Sequence, residues 1–151
     1  MKAIGSLLPG ACEPGEWVNW VVALSNVFGL LPICRAQSST QIAIATTAVA
    51  ASVLMHISER KHGLPGVAPF SRWSDKFLMA DRIVSYGTVL YAASQFFQAG
   101  LHSVPWTTAL VGCSALALSE HVDLGPTWFI ATHCTWHACA FYGLALAFNA
   151  K

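Results

Sequence analysis

The stretch TQIAIATTAVAASVLMHIS, residues 40–58, decides the fold. It contains no Asp, Glu, Lys or Arg, and Ile42 through Leu54 shows no apolar-polar alternation, so the period of a barrel strand is absent. A run of this length matches the roughly 20 residues that a helix needs to cross about 30 Å of hydrocarbon. Outward from it lie four more apolar stretches. One precedes it, at residues 17–34, across the polar link Arg35-Ala36-Gln37-Ser38-Ser39. Three follow, at 77–99, 105–119 and 127–149. The sequence therefore predicts an all-α polytopic membrane protein: one transmembrane domain over 1–151, a single bundle of about five transmembrane helices. Composition points the same way. With 55% hydrophobic and 10% charged residues and a mean hydropathy of +0.54, there are too few charges to cover a water-facing surface.

Five crossings put the two chain ends on opposite sides. The side of the amino terminus then carries Lys2, Arg60, Lys61, Arg72 and Lys76, against Arg35 and Lys151 on the other. The positive-inside tendency predicts a multi-pass integral membrane protein with its amino terminus toward the cytoplasm. Residues 1–10 hold an apolar run too short for a cleaved signal, and residues 11–15 and Leu64-Pro65-Gly66 read as turns. The few basic residues form no stripe that would follow a phosphate backbone, which argues against nucleic acid as a partner. Cys12, Cys34, Cys113, Cys134 and Cys139 make no CxxC pair or secreted framework and read as small buried packing residues.

The polar residues that interrupt the apolar stretches carry the chemistry. Ser52 and His56, Asp81 and Ser85, and His133 and His137 are pairs at i and i+4, each on one helix face and about 6 Å apart along its axis. Following the chain up and down, the second stretch ends on the side where the third and fifth begin. Three histidines and a carboxylate thus share one level. A buried ionisable group normally faces a partner inside the bundle. Two histidines at i and i+4, joined by one from a neighbouring helix, offer three neutral imidazole nitrogens to zinc with a fourth position open, a catalytic rather than a closed donor set. Zinc there would lower a water's pKa toward about 7 and polarise a carbonyl. Asp81 suits the role of proton acceptor, and Ser52 that of hydrogen-bond support for an oxyanion. Taken singly, each has a plainer reading: a lone histidine is commonly a hydrogen-bonded packing residue, Asp81 can pair with Arg82, and serine is ordinary packing glue.

In order and spacing these residues resemble the CREST superfamily, which holds the alkaline ceramidases, the progestin and adiponectin receptors and the branch related to the post-GPI-attachment phospholipase. The matching elements are Ser52-Val-Leu-Met-His56, then Asp81 in the next helix, then His133-Cys-Thr-Trp-His137. Glu16-Trp-Val-Asn19 followed by Ser25-Asn26 is similar to the family's early helix. The likeness spans essentially the whole chain, and the spacing from His56 to Asp81 is nearest the phospholipase-related branch. It implies a shortened seven-helix fold lacking a pair of helices between Asp81 and His133. By this resemblance His56, His133 and His137 bind zinc, and Asp81 and Ser52 assist water in hydrolysing an amide or ester of a membrane lipid. Cys12-Glu13 is similar to the acidic segment that holds calcium in ceramidases, but its acidic neighbours are missing, which argues against calcium.

Two alternatives stay open from the residues: a non-enzymatic zinc-containing receptor or lipid sensor, and a haem protein using histidines as axial ligands. A pore is disfavoured because the polar groups gather at one level. Helix faces that two more spans would cover predict weak homodimerisation, although Gly87, Ala92 and Ala93 are too ordinary to mark the interface.

Overall fold

A computed structural model describes residues 15–150, and within them the regular structure is entirely helical. Helix α1 (Glu16–Leu24) passes through a 3-10 turn at Ser25–Gly29 into α2 (Leu30–Arg35). Then come α3 (Ser39–Ser58), α4 (Ser74–Ala99), α5 (Trp106–His121) and α6 (Pro126–Ala147), with short 3-10 turns at Lys61–Gly63, Phe70–Trp73 and Leu101–Ser103. The boundaries have local causes. Ser38 caps α3 by accepting the Gln41 backbone N–H at 3.2 Å, satisfying one of the orphan donors of the first turn. Pro126 opens α6, where its missing N–H costs nothing. Gly100 ends α4 at φ 94°, a conformation open to glycine.

Helix α6 is the hub, packing against α1, the Ser25–Gly29 turn, α2, α4 and α5, while α3 packs against α1, α2, the same turn and α4. Two apolar clusters hold this arrangement. Val18 and Val22 of α1 meet Leu64 of the following loop and Phe129 of α6. Farther along the helices, Ala45 of α3 meets Leu144 and Phe148, with Ile33, Tyr91 and Ala92 against them. At the break between α1 and α2 the helices approach closely: a Cβ at Gly29 would collide with Val49 of α3 and press against Phe141 of α6. Gly29→Ala is expected to destabilise the fold by about 1–3 kcal/mol, the usual range for overpacking. Chemical denaturation measures it, and an unchanged midpoint would contradict the packing described.

The expected bundle of about five transmembrane helices is corrected here. Among the described residues only Glu16–Arg35 and Ser39–Ser58 are long and apolar enough to cross a membrane. Helix α4 has the length, at 26 residues, but includes Asp75, Lys76, Asp81 and Arg82. Helix α5, at 16 residues, reaches only about 24 Å at 1.5 Å per residue, short of the hydrocarbon thickness. Helix α6 carries His133, His137, Thr127, Thr132 and Thr135, which lower its hydropathy, and it buries both histidines among its neighbours. Length and composition alone do not separate two such helices from the core helices of a packed all-helical domain. The expectation of a multi-pass integral membrane protein, and with it an amino terminus and metal site turned toward the cytoplasm, therefore loses its basis. Lys2 and Lys151, which entered that reading, lie outside the described residues, as do Cys12 and Glu13 and residues 1–10. The four described cysteines are free thiols, and Cys34 and Cys113 are exposed rather than buried as packing residues.

Candidate metal centre

His56 sits in the last turn of α3 and is fully buried. The chain leaves the helix at Glu59, whose side chain folds back so that Oε2 lies 3.0 Å from His56 Nδ1. The turn is held from the other side by Asn19 of α1. Its Nδ2 donates to the carbonyls of His56 at 2.8 Å and Glu59 at 2.9 Å, satisfying acceptors that a helix end leaves without intrahelical partners. Asn19 itself is buried, so this junction between α1 and α3 is shielded from water.

Helix α6 supplies the other two imidazoles from one face. His133 Nδ1 lies 3.1 Å from Ser119 Oγ at the end of α5. His137 Nδ1 lies 2.6 Å from Ser25 Oγ in the 3-10 turn. Both rings are buried to 3% exposure. Phe129 and Phe141 flank them one turn before and one turn after, with ring centroids 5.2 Å from His133 and 6.1 Å from His137.

The three rings form a nearly equilateral triangle, with centroids 4.5, 4.9 and 4.9 Å apart. One nitrogen from each lies within 4.8 Å of the others, a set able to hold a metal ion. His56 Nε2 and His137 Nε2 are 3.2 Å apart. Two nitrogens each bound to zinc at about 2.0–2.1 Å at a tetrahedral angle stand about 3.3 Å apart, so this pair already has the spacing of two zinc ligands. The donor set is chemically suitable as well. Burial pushes His133 and His137 well below the ordinary imidazole pKa, and neighbouring histidines add to this, so both rings are neutral and present lone pairs. Ser52, one turn before His56, places its Oγ 3.2 Å from His137 Nε2.

Asp81 stands outside this closely spaced group. Burial raises its carboxyl from 3.8 to about 6, and repulsion from Glu59 adds to the shift, while Arg82 and a hydrogen bond from Ser85 oppose it. Its Oδ1 is shielded from solvent and has no hydrogen-bond partner among the described residues. Glu120 accepts from Lys61 at 3.2 Å and has Arg82 at 3.9 Å.

The structure thus brings Ser52, His56, His133 and His137 together and leaves Asp81 outside that group, half-buried with one shielded carboxyl oxygen. Sequence reasoning missed Glu59 and Ser119, and it noticed Ser25 without a role. Glu59 stands three residues after His56, a spacing that signals contact only when the chain turns back. Ser119 had no signal beyond its place near the end of α5. The haem alternative meets a steric objection, because a porphyrin inserted between any two of these rings would run into the third. Compared with protein-family models, with curated proteins and with solved structures, the chain matches none.

Proposed function

We propose that the chain is a zinc-dependent hydrolase acting on an amide or ester bond of a lipid. The observation that carries this reading is the convergence of three buried imidazoles from α3 and α6, with Ser52 in contact with one of them. His56, His133 and His137 would hold the ion. Bound there with a position open, zinc would lower the pKa of a water and polarise a carbonyl. Asp81, neutral more easily than an ordinary carboxyl, is suited to take the attacking water's proton near neutral pH and return it to the leaving group. Ser52 is close enough to donate to an oxygen that becomes negative during attack.

Exposed apolar residues line one face of α4. Met79 and Ile83 are 61% and 65% exposed, and the row continues through Tyr86 and Leu90, on the face of α4 turned away from Asp81. The burial of all three histidines also fits a closed zinc site in a non-enzymatic receptor or lipid sensor. Free fatty acid release separates the two. Zinc-loaded protein incubated with a ceramide and a phospholipid in mixed micelles is expected to release fatty acid from at least one, and chelation is expected to stop it. Release that continues undiminished after zinc is stripped contradicts the hydrolase reading, and the absence of release from a fully loaded protein favours the receptor.

A further inference from the structure

Each of the three imidazoles has one nitrogen turned outward to a partner, and two of those partners are hydroxyls with their only proton already committed. Ser119 Oγ lies 2.8 Å from the Leu116 carbonyl, and Ser25 Oγ lies 2.7 Å from the Val22 carbonyl. A carbonyl only accepts, so each hydroxyl donates there and faces its imidazole with lone pairs. The contacts at 3.1 Å to His133 Nδ1 and 2.6 Å to His137 Nδ1 then require the proton to sit on Nδ1 in both rings. Neutral imidazole carries one N–H, so both Nε2 atoms are bare. Glu59 Oε2, 3.0 Å from His56 Nδ1, makes the same demand when its carboxyl is ionised.

We infer that Ser25 and Ser119, together with Glu59, are positioning residues that set the tautomers of His137, His133 and His56, so that each ring keeps its Nε2 unprotonated for a metal ion. The inference rests only on the metal-binding reading of the site and not on hydrolysis. It accounts for two serines whose hydroxyls bond their own helical turn yet reach across to α6 from two different segments. With both rings in the Nδ1–H form, His56 Nε2 and His137 Nε2 would face each other at 3.2 Å as two lone pairs once His56 donates to Glu59. Two lone pairs at that distance repel unless a cation lies between them. The arrangement therefore favours a metal ion over an empty pocket, and outer partners of this kind contribute about 10–100-fold in metal affinity.

The test uses the full chain labelled with 15N-histidine, with zinc ion as the probe. Long-range 1H–15N spectra of the metal-free wild type are expected to show His133 and His137 as Nδ1–H tautomers. Ser119→Ala is expected to release the tautomer of His133 alone, and Ser25→Ala that of His137 alone. Each is expected to weaken zinc binding about 10–100-fold, as for other outer partners of metal ligands. Ser119→Thr, which keeps the hydroxyl, is expected to restore both readouts. Nε2–H tautomers for both rings in the wild type would overturn the inference, and this spectrum needs no variant to fold. So would alanine variants that keep wild-type tautomers and zinc affinities within about twofold, against that same expected range. A wild type with the stated tautomers and no affinity for zinc would overturn the metal reading alone and leave the tautomer assignment standing.

Discussion

His137→Ala is expected to abolish zinc binding and, with it, the proposed lipid hydrolysis. His137 is the ring on which the site converges: its Nε2 lies 3.2 Å from His56 Nε2 and 3.2 Å from Ser52 Oγ. Alanine deletes one of three donors, and two imidazoles do not hold zinc in the geometry that three provide. Zinc content by elemental analysis is expected to fall from about one ion per chain to near zero, with turnover falling to background, in line with ligand loss at a three-histidine site. The fold is expected to lose stability too, because the ring is buried between Phe141 and the other histidines. His137→Gln keeps more of the volume and separates lost ligation from lost packing. Full zinc occupancy and turnover in both variants would remove His137 from the site.

Asp81→Asn is expected to behave in the opposite way with respect to metal and stability. Asparagine keeps the size of the side chain but does not accept a proton as a carboxylate does. Hydrolysis is expected to drop on the order of 10²-fold or more, the scale of positioned acid–base help, while zinc stays bound. The stability change follows from the displaced pKa. The folded state raises Asp81 from 3.8 to about 6, so between those values the folded chain holds a proton that the unfolded chain has released. Stability contributed by this group is therefore highest below about pH 4, falls as pH rises toward 6, and stays lower above it. Asparagine is neutral throughout. The variant is expected to melt higher than the wild type at pH 7–8 and to lose that part of the pH dependence. Melting curves at pH 4 and pH 8, beside turnover and zinc content, check all three. Wild-type turnover would make Asp81 a packing residue, and loss of zinc as complete as in His137→Ala would make it part of the metal's support.

The helical segments were legible because each coincides with a run of apolar residues free of strand-like alternation. Ser39–Ser58, for example, begins and ends within a residue of the stretch read from the sequence. The 3-10 turn at Ser25–Gly29 was not legible. No proline or charge marks it, and the close approach of Val49 to Gly29 at its end exists only after folding. The membrane bundle was misread because each apolar stretch was judged by its length, without weighing the polar residues inside it. In α4 the charges at Asp75, Lys76, Asp81 and Arg82 lie within one helix, and in α6 the polar rings turn inward. The meeting of His56, His133 and His137 was legible from i, i+4 spacing and from helices running up and down, which hold for any antiparallel helical packing. Their partners were not, because Glu59 and Ser119 reach the imidazoles through a chain reversal and a neighbouring helix.

X-ray absorption at the zinc edge of the purified, zinc-loaded chain tests the central claim most directly. Zinc with three imidazole nitrogens at about 2.0–2.1 Å and one further light atom is the predicted result, since that is the coordination three histidines with an open position supply. A zinc shell with sulfur at about 2.3 Å, which would implicate the free cysteines, or a chain that retains no zinc after dialysis, would contradict it.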